Sequence, residues 1–293
     1  GVVIDTPEGL PHCRTLQGVT GTPIIRADGE ILDAPGYDNG SQLLYKPDSP
    51  TLRVPWVSDN PTDVEVKDAR DLLEYMVADF SFVDDNQRAN YFGALMLPLL
   101  RALVPPPYKL VAIDAHAPGS GKTLLADVLR VVHHGKRGGT VGGSFRTDWP
   151  KGDEFDKWVS AVLMNGAGGV VQVDNVKATL GGSKLEGLLT NASYGGRILG
   201  VSQTVDVPND RLWVVTGNNI QIGGDMARRV LWVRIDPGVE NPEQRAASSF
   251  HEADLLGWAA TNRGRIIHAV LTLARAWYVS GAELAEATSS DSF

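Results

Sequence analysis

The chain has 293 residues, 43% of them hydrophobic and 21% charged, with a formal net charge of -8. That length can bury a substantial core, and the composition is that of an ordinary globular protein rather than a disordered or membrane-embedded one. The acidic balance argues against a surface broadly devoted to phosphate backbones, while leaving room for a local basic loop or a pore built from several subunits. The lone Cys13 offers neither an internal disulfide nor a zinc cluster, which fits a reducing compartment. There is no basic-apolar leader and no long apolar span, so no membrane contact is expected. The chain opens on Gly1 and closes on Phe293, and we read it as a piece cut from a longer protein.

Residues 1–60 are rich in Pro, Gly, Asp and Thr. They read as a small β-rich segment of hairpins or loops, with apolar pieces at Val2–Ile4 and Gln42–Tyr45 and the clearest turn at Ala27–Glu30. Residues 61–107 read as a helical segment. Asp63 and Glu65 open a first helix carrying Ala69, Leu72, Leu73, Tyr75 and Met76 at helical spacing; a second is expected from Arg88 to Val104, kinked or split by Pro98. Pro105–Pro107 is a stiff boundary. Over residues 108–240 short strands and helices alternate, the signature of an α/β layer on a mostly parallel sheet. Strands are expected at Leu110–Ile113, Gly169–Asp174, Leu212–Thr216 and Val230–Ile235, with helices around Trp158–Leu163 and Lys184–Leu189. Residues 241–293 read as a C-terminal helical segment, with Asn262 as N-cap of a helix to Val279 and Gly281 as its stop.

The most informative stretch is Ala117-Pro118-Gly119-Ser120-Gly121-Lys122-Thr123, set between a strand-like run and an apolar helical run. Strand, glycine loop and helix form the context in which backbone N–H groups converge on a phosphate and a helix N-terminus adds positive potential. Lys122 would reach the β- and γ-phosphates and Thr123 would ligate Mg2+, so the expected ligand is a nucleoside triphosphate. His116 stands where the full pattern has its first glycine. Downstream, Val170–Asp174 is a strand ending in an acid, which suits the second Mg2+ contact; alone, it reads equally as a carboxylate ending a buried strand. Asn175 follows it, an amide that can position water but cannot take a proton. Leu212–Asn218 ends in amides, and Asn218 would arrive at the same sheet end, although Gly-Asn-Asn is also good turn sequence. Arg228 and Arg229 read either as an arginine finger for a neighbour's γ-phosphate or as a salt bridge to Asp225. Asn191–Pro208 suggests a hairpin with Arg197 as its strong cation, either contacting nucleic acid or packing on its own sheet.

Taken in order, APGSGKT, VVQVDN, GGRILGVS, WVVTGNN and GDMARRVLWVRID resemble the superfamily 3 helicases, of the phage and poxvirus primase-helicase type. The resemblance spans roughly residues 61–280. It implies an AAA+-like P-loop NTPase with a three-layer core, a helical collar ahead of it, ATP and Mg2+ as cofactors, and a homo-oligomeric, hexameric ring moving on single-stranded DNA. It makes Lys122 and Thr123 the loop ligands, Asp174 the Mg2+ acid, Asn218 a sensor, Arg228 or Arg229 the finger in trans, and Arg197 a DNA contact. The expected setting is replication of a phage, prophage or mobile element, in the cytoplasm of a bacterial or phage-infected cell. A different class of reading is a nucleotide-dependent assembly or loader protein with slow hydrolysis, which Asn175 and the acidic net charge favour. A small-molecule kinase on the same loop fits the paired amides and paired arginines less well.

Overall fold

The computed structural model describes residues 14–135, 145–164, 169–197, 204–239 and 242–281. Val2–Ile4 and Cys13 lie outside them. The first strands are short: β1 (Gly18–Thr20), β2 (Ile24–Ile25), β3 (Ile31–Leu32), β4 (Gly36–Tyr37) and β5 (Leu43–Tyr45). β2 and β3 form an antiparallel hairpin around the Ala27–Glu30 turn, which Arg26 N closes by donating to Glu30 O at 2.7 Å. Gly29 supplies the left-handed backbone there, with φ 84°. β1 departs from the hairpin expectation, since it pairs in parallel with β5, while β4 pairs antiparallel with β5.

α1 (Asp63–Met76) begins on Thr62, whose hydroxyl accepts from Glu65 N while Glu65 reaches back to Thr62 N, a complete capping box. α2 (Asp85–Met96) is capped by Asp84 and starts before the expected Arg88. It ends where Pro98 enters, because proline lacks the N–H that a continuing helix needs, and a 3-10 turn over Leu97–Leu99 follows.

β6 (Leu110–Ala115), α3 (Lys122–His134), β7 (Phe145–Thr147), α4 (Asp153–Met164), β8 (Gly169–Val176), α5 (Ser183–Leu188), β9 (Ser193–Arg197), β10 (Thr204–Pro208), β11 (Arg211–Asn218) and β12 (Val230–Arg234) follow. Five of these strands form one parallel sheet in the order β12-β6-β11-β8-β7. Four were expected from sequence; β7 is the addition. Every residue of β6 is buried, as befits a strand covered on both faces. Val111, Ile113 and Val214 face α3 and the helices flanking it, while Leu110, Ala112, Trp213 and Val215 face α4 and α5. The result is a mixed α/β architecture, a five-stranded parallel sheet with helices on each side.

α6 (Leu255–Thr261) and α7 (Arg263–Val279) close the described chain. Asn262 occupies the N-cap position of α7, but its side chain does not cap: Nδ2 donates to Trp258 O at 3.0 Å and Oδ1 accepts from Arg265. Gly281 follows the last turn with φ 66°. Ile25, Leu73, Tyr91, Leu129 and Ile267 share one core, so the first residues, α1, α2, α3 and α7 pack together. Arg263, 4% exposed, clasps Asp48 through two bonds of 2.7 and 2.5 Å and donates Nε to Val132 O. Among the described residues no helix is long and apolar enough to cross a membrane.

Candidate functional site

Ligands of an open parallel sheet sit outside the carboxyl ends of its strands, and there β6 runs into Ala117–Gly121 and α3. Gly119 and Gly121 take left-handed backbone, φ 71° and 91°, and Gly121 is the N-cap of α3 with no side-chain cap. A Cβ on Gly121 would meet the Phe80 ring at 2.8 Å, so the position needs glycine on both counts. The helix therefore leaves its first N–H groups open toward the loop. Ser120 Oγ and Lys122 Nζ both donate to Ala117 O, the latter at 2.9 Å, folding the lysine back over the loop. Burial pushes the Lys122 ammonium below its usual range, opposed by the carboxylates of Asp114 and Asp174.

Asp174 and Thr123 meet directly: the threonine hydroxyl donates to Asp174 Oδ1 at 2.8 Å. β8 and β6 are not neighbours, because β11 lies between them. β11 contributes Thr216, 1% exposed, whose hydroxyl donates to the same Oδ1 at 2.7 Å and accepts from Asn175 N at 3.0 Å. Sequence reading missed Thr216; its one signal is its place beside Gly217 at the end of an expected strand. Asn175 itself is left-handed, φ 55°, a conformation that Asn enters more readily than Glu. The backbone thus gives a physical reason for an amide after Asp174. Among the described residues no group of three or more His, Cys, Asp or Glu is placed to hold a metal ion. The oxygen donors here are one carboxylate and two hydroxyls.

Asn218 is the last residue of β11, exposed and in register with Ala115 at the root of the loop. Lys122, Thr123, Asp174, Asn175 and Asn218 are thus brought to one end of the sheet. Arg228 and Arg229 are not. They end a 3-10 turn over Gly224–Arg229, and the next residue, Val230, pairs with Leu110 at the start of β6, not at its loop end. Both bind Asp225, Arg228 at 2.5 Å and Arg229 at 3.1 Å, which is the ion-pair alternative left open by the sequence. Arg197 closes β9, opposite Thr204 of β10, in an antiparallel pair matching the expected hairpin. Its side chain and residues 198–203 lie outside the described residues. The base of that hairpin packs on the molecule: Tyr194 donates to Asp156 of α4, and Val207 lies against the core on that face.

A cleft of about 130 Å3 adjoins the loop, lined by Gly119, Gly121, Phe80, Leu124, Arg245 and Phe250 among others. Arg245 stacks over the Phe250 ring at 4.5 Å, and His251 Nδ1 lies 2.7 Å from Asp79 Oδ1 at its border.

Fold and site together define a mixed α/β protein with polar side chains gathered around a glycine loop at the strand ends. No family model matches the chain, and no curated protein matches it. Among solved structures it is similar to the A form apo structure of the NrS-1 C-terminal region, at 15% identity and TM-score 0.48, covering 80% of this chain and 51% of that one. It is similar also to an A form apo structure of residues 305–718 of NrS-1, at 14% identity and TM-score 0.46, covering 83% and 56%. The chain spans about half the length of these two structures.

Proposed function

We propose that the chain binds ATP with Mg2+ at Ala117–Thr123 and hydrolyses it as a ring-forming motor on single-stranded DNA, in replication of a phage, prophage or mobile element. The meeting of Thr123 and Asp174 beneath the loop carries this reading, since hard oxygen donors at a glycine loop suit a phosphate-bound Mg2+. The fit extends to the open N–H groups of α3 and to the left-handed backbone of Gly119 and Gly121, which lets the loop curl around an anion. In this reading the loop amides hold the β-phosphate, and Lys122 leaves Ala117 O to hold the γ-phosphate. Thr123 and Asp174 hold the metal, which when bound neutralises charge developing on the phosphates. Asn218 orients the attacking water or senses the γ-phosphate. The cleft lined by Phe80, Leu124 and Phe250 beside the loop would take the nucleobase. Arg228 or Arg229 exchanges Asp225 for the γ-phosphate of a neighbouring copy. The DNA role of Arg197 and the hexameric ring rest on the order of the motifs.

The test is ATP turnover with and without single-stranded DNA. Stimulation by DNA supports the motor; no stimulation, together with no DNA retention at low salt, removes it. A second reading, slow hydrolysis in an assembly or loader protein, is favoured by Asn175, whose left-handed backbone suits an amide where a water-activating acid would stand. Slow turnover with ATP-dependent assembly would select it.

A further inference from the structure

Asp114 sits one residue inside the end of β6, 8% exposed, between Gly217 of β11 and Arg234 of β12 in the sheet register. Its Oδ1 accepts a hydrogen bond from Ile220 N at 3.1 Å. The chain reaches that position by a tight turn after Asn218. Asn219 takes φ 53° and donates its N–H to Ala115 O at 3.3 Å. Gly217 leaves the space that Ile220 fills: a Cβ there would meet Ile220 Cγ1 at 2.6 Å and Val176 O at 3.0 Å. Ile220 is then buried against the core on the α4 side. Two bonds therefore pin the Asn218–Ile220 turn to the strand that feeds the loop, one to a backbone carbonyl and one to a carboxylate. The negative charge of the same carboxylate also acts on the Lys122 ammonium at the other end of that loop, ahead of Asp174 in opposing the effect of burial there.

We propose that Asp114 is a positioning residue that ties the strand-end amides to the phosphate loop, so that Asn218 and Lys122 keep a fixed spacing. The proposal rests on the nucleotide reading of the loop. A carboxylate is suited to the task because a charged acceptor holds an N–H about twice as strongly as a neutral one. Removing it strands a buried amide and releases the turn, and a displacement of about 1 Å at a catalytic group costs on the order of 100-fold in rate.

The experiment compares Asp114→Ala with Asp114→Asn, which keeps the acceptor oxygen and removes the charge. Turnover is measured beside the affinity for a fluorescent ATP analogue, the thermal midpoint, and amide hydrogen exchange at Asn219, Ile220 and Gly119–Lys122. We expect Asp114→Ala to lower kcat roughly 10- to 100-fold with analogue affinity little changed, and to speed exchange at the turn and the loop together. Asp114→Asn restores most of kcat and the slow exchange. Unchanged kcat in a folded Asp114→Ala protein overturns the proposal, as does equal loss in both Asp114 variants. A wild-type chain that neither binds nor hydrolyses ATP sinks the nucleotide reading instead. The exchange measurement still decides the tether in that case: faster exchange at the turn with an undisturbed loop refutes it.

Discussion

Thr123 Oγ1 donates to Asp174 Oδ1 across 2.8 Å, although the two residues stand 51 positions apart, one in the first turn of α3 and the other near the end of β8. The same carboxylate oxygen takes the Thr216 hydroxyl, so three elements converge on one atom. This convergence turns a glycine loop into a candidate catalytic centre.

Asp174→Asn keeps an oxygen for the two hydroxyls but removes the charge a metal needs. We expect Mg2+-dependent turnover to fall at least ~100-fold, the scale of losing a preorganised electrostatic group, with the thermal midpoint nearly unchanged. Lys122→Ala should abolish hydrolysis. Thr216→Val differs in kind: it strands the Asn175 amide and costs about 1–3 kcal/mol of stability, read by urea unfolding. Full turnover in Lys122→Ala would mean that the site lies elsewhere.

Arg228 and Arg229 share one acidic partner, and Arg228 is the more exposed, 40% against 19%. Arg228→Ala is therefore expected to lower turnover while nucleotide affinity holds. Mixing it with inactive Lys122→Ala should recover part of the activity, because each protein supplies what the other lacks. A mixture no more active than its parts would refute the sharing of sites between chains.

Arg263 is buried and held by Asp48. Asp48→Ala leaves a guanidinium without its counter-charge, and breaking a buried pair from one side costs about 3–5 kcal/mol. Chemical denaturation measures this directly. A loss below about 1 kcal/mol would place the pair in the class of weak surface bridges.

His133 is buried on α3, with Nε2 2.9 Å from Leu95 O, and burial pushes its pKa down from 6.5 to about 3. His134 shifts in the same direction for the same cause. A proton taken up by the unfolded chain is thus refused by the folded one. For His133 the stabilisation is full above about pH 6.5 and is lost as pH falls toward 3, at roughly 1.4 kcal/mol per unit, and His134 adds to it in the same direction. Urea midpoints at pH 7, 6 and 5 should fall accordingly, and His133→Gln should flatten the slope. An identical slope in that variant would assign the acid sensitivity to other groups.

Much of the sheet was legible because parallel strands covered on both faces are continuous apolar runs; Leu110–Ile113 and Leu212–Thr216 stand out for that reason alone. The three residues of β7 are too short to show a period, and the pairing of β1 with β5 has no turn to announce it. Within the site, Lys122, Thr123 and Asp174 belong to patterns with fixed chemistry. Thr216 and Asp114 do not. Their roles arise from strand neighbours in the sheet, and a threonine or aspartate in a β-run has no local mark of its partner. Asp48 and Arg263, 215 positions apart, are hidden for the same reason. Proline and glycine behaved as local rules require: Pro98 ends α2, and Gly29 makes the first hairpin turn.

The register of β12 on β6 has a consequence for counting. Its paired residues put roughly 13 Å of strand between the arginines' end and the loop's end. On the proposed reading a chain contributes its donor half and its acceptor half to different junctions. Working sites are then numbered by contacts between molecules, not by molecules. A closed ring of copies has as many sites as members, an open row one fewer, and a solitary chain none.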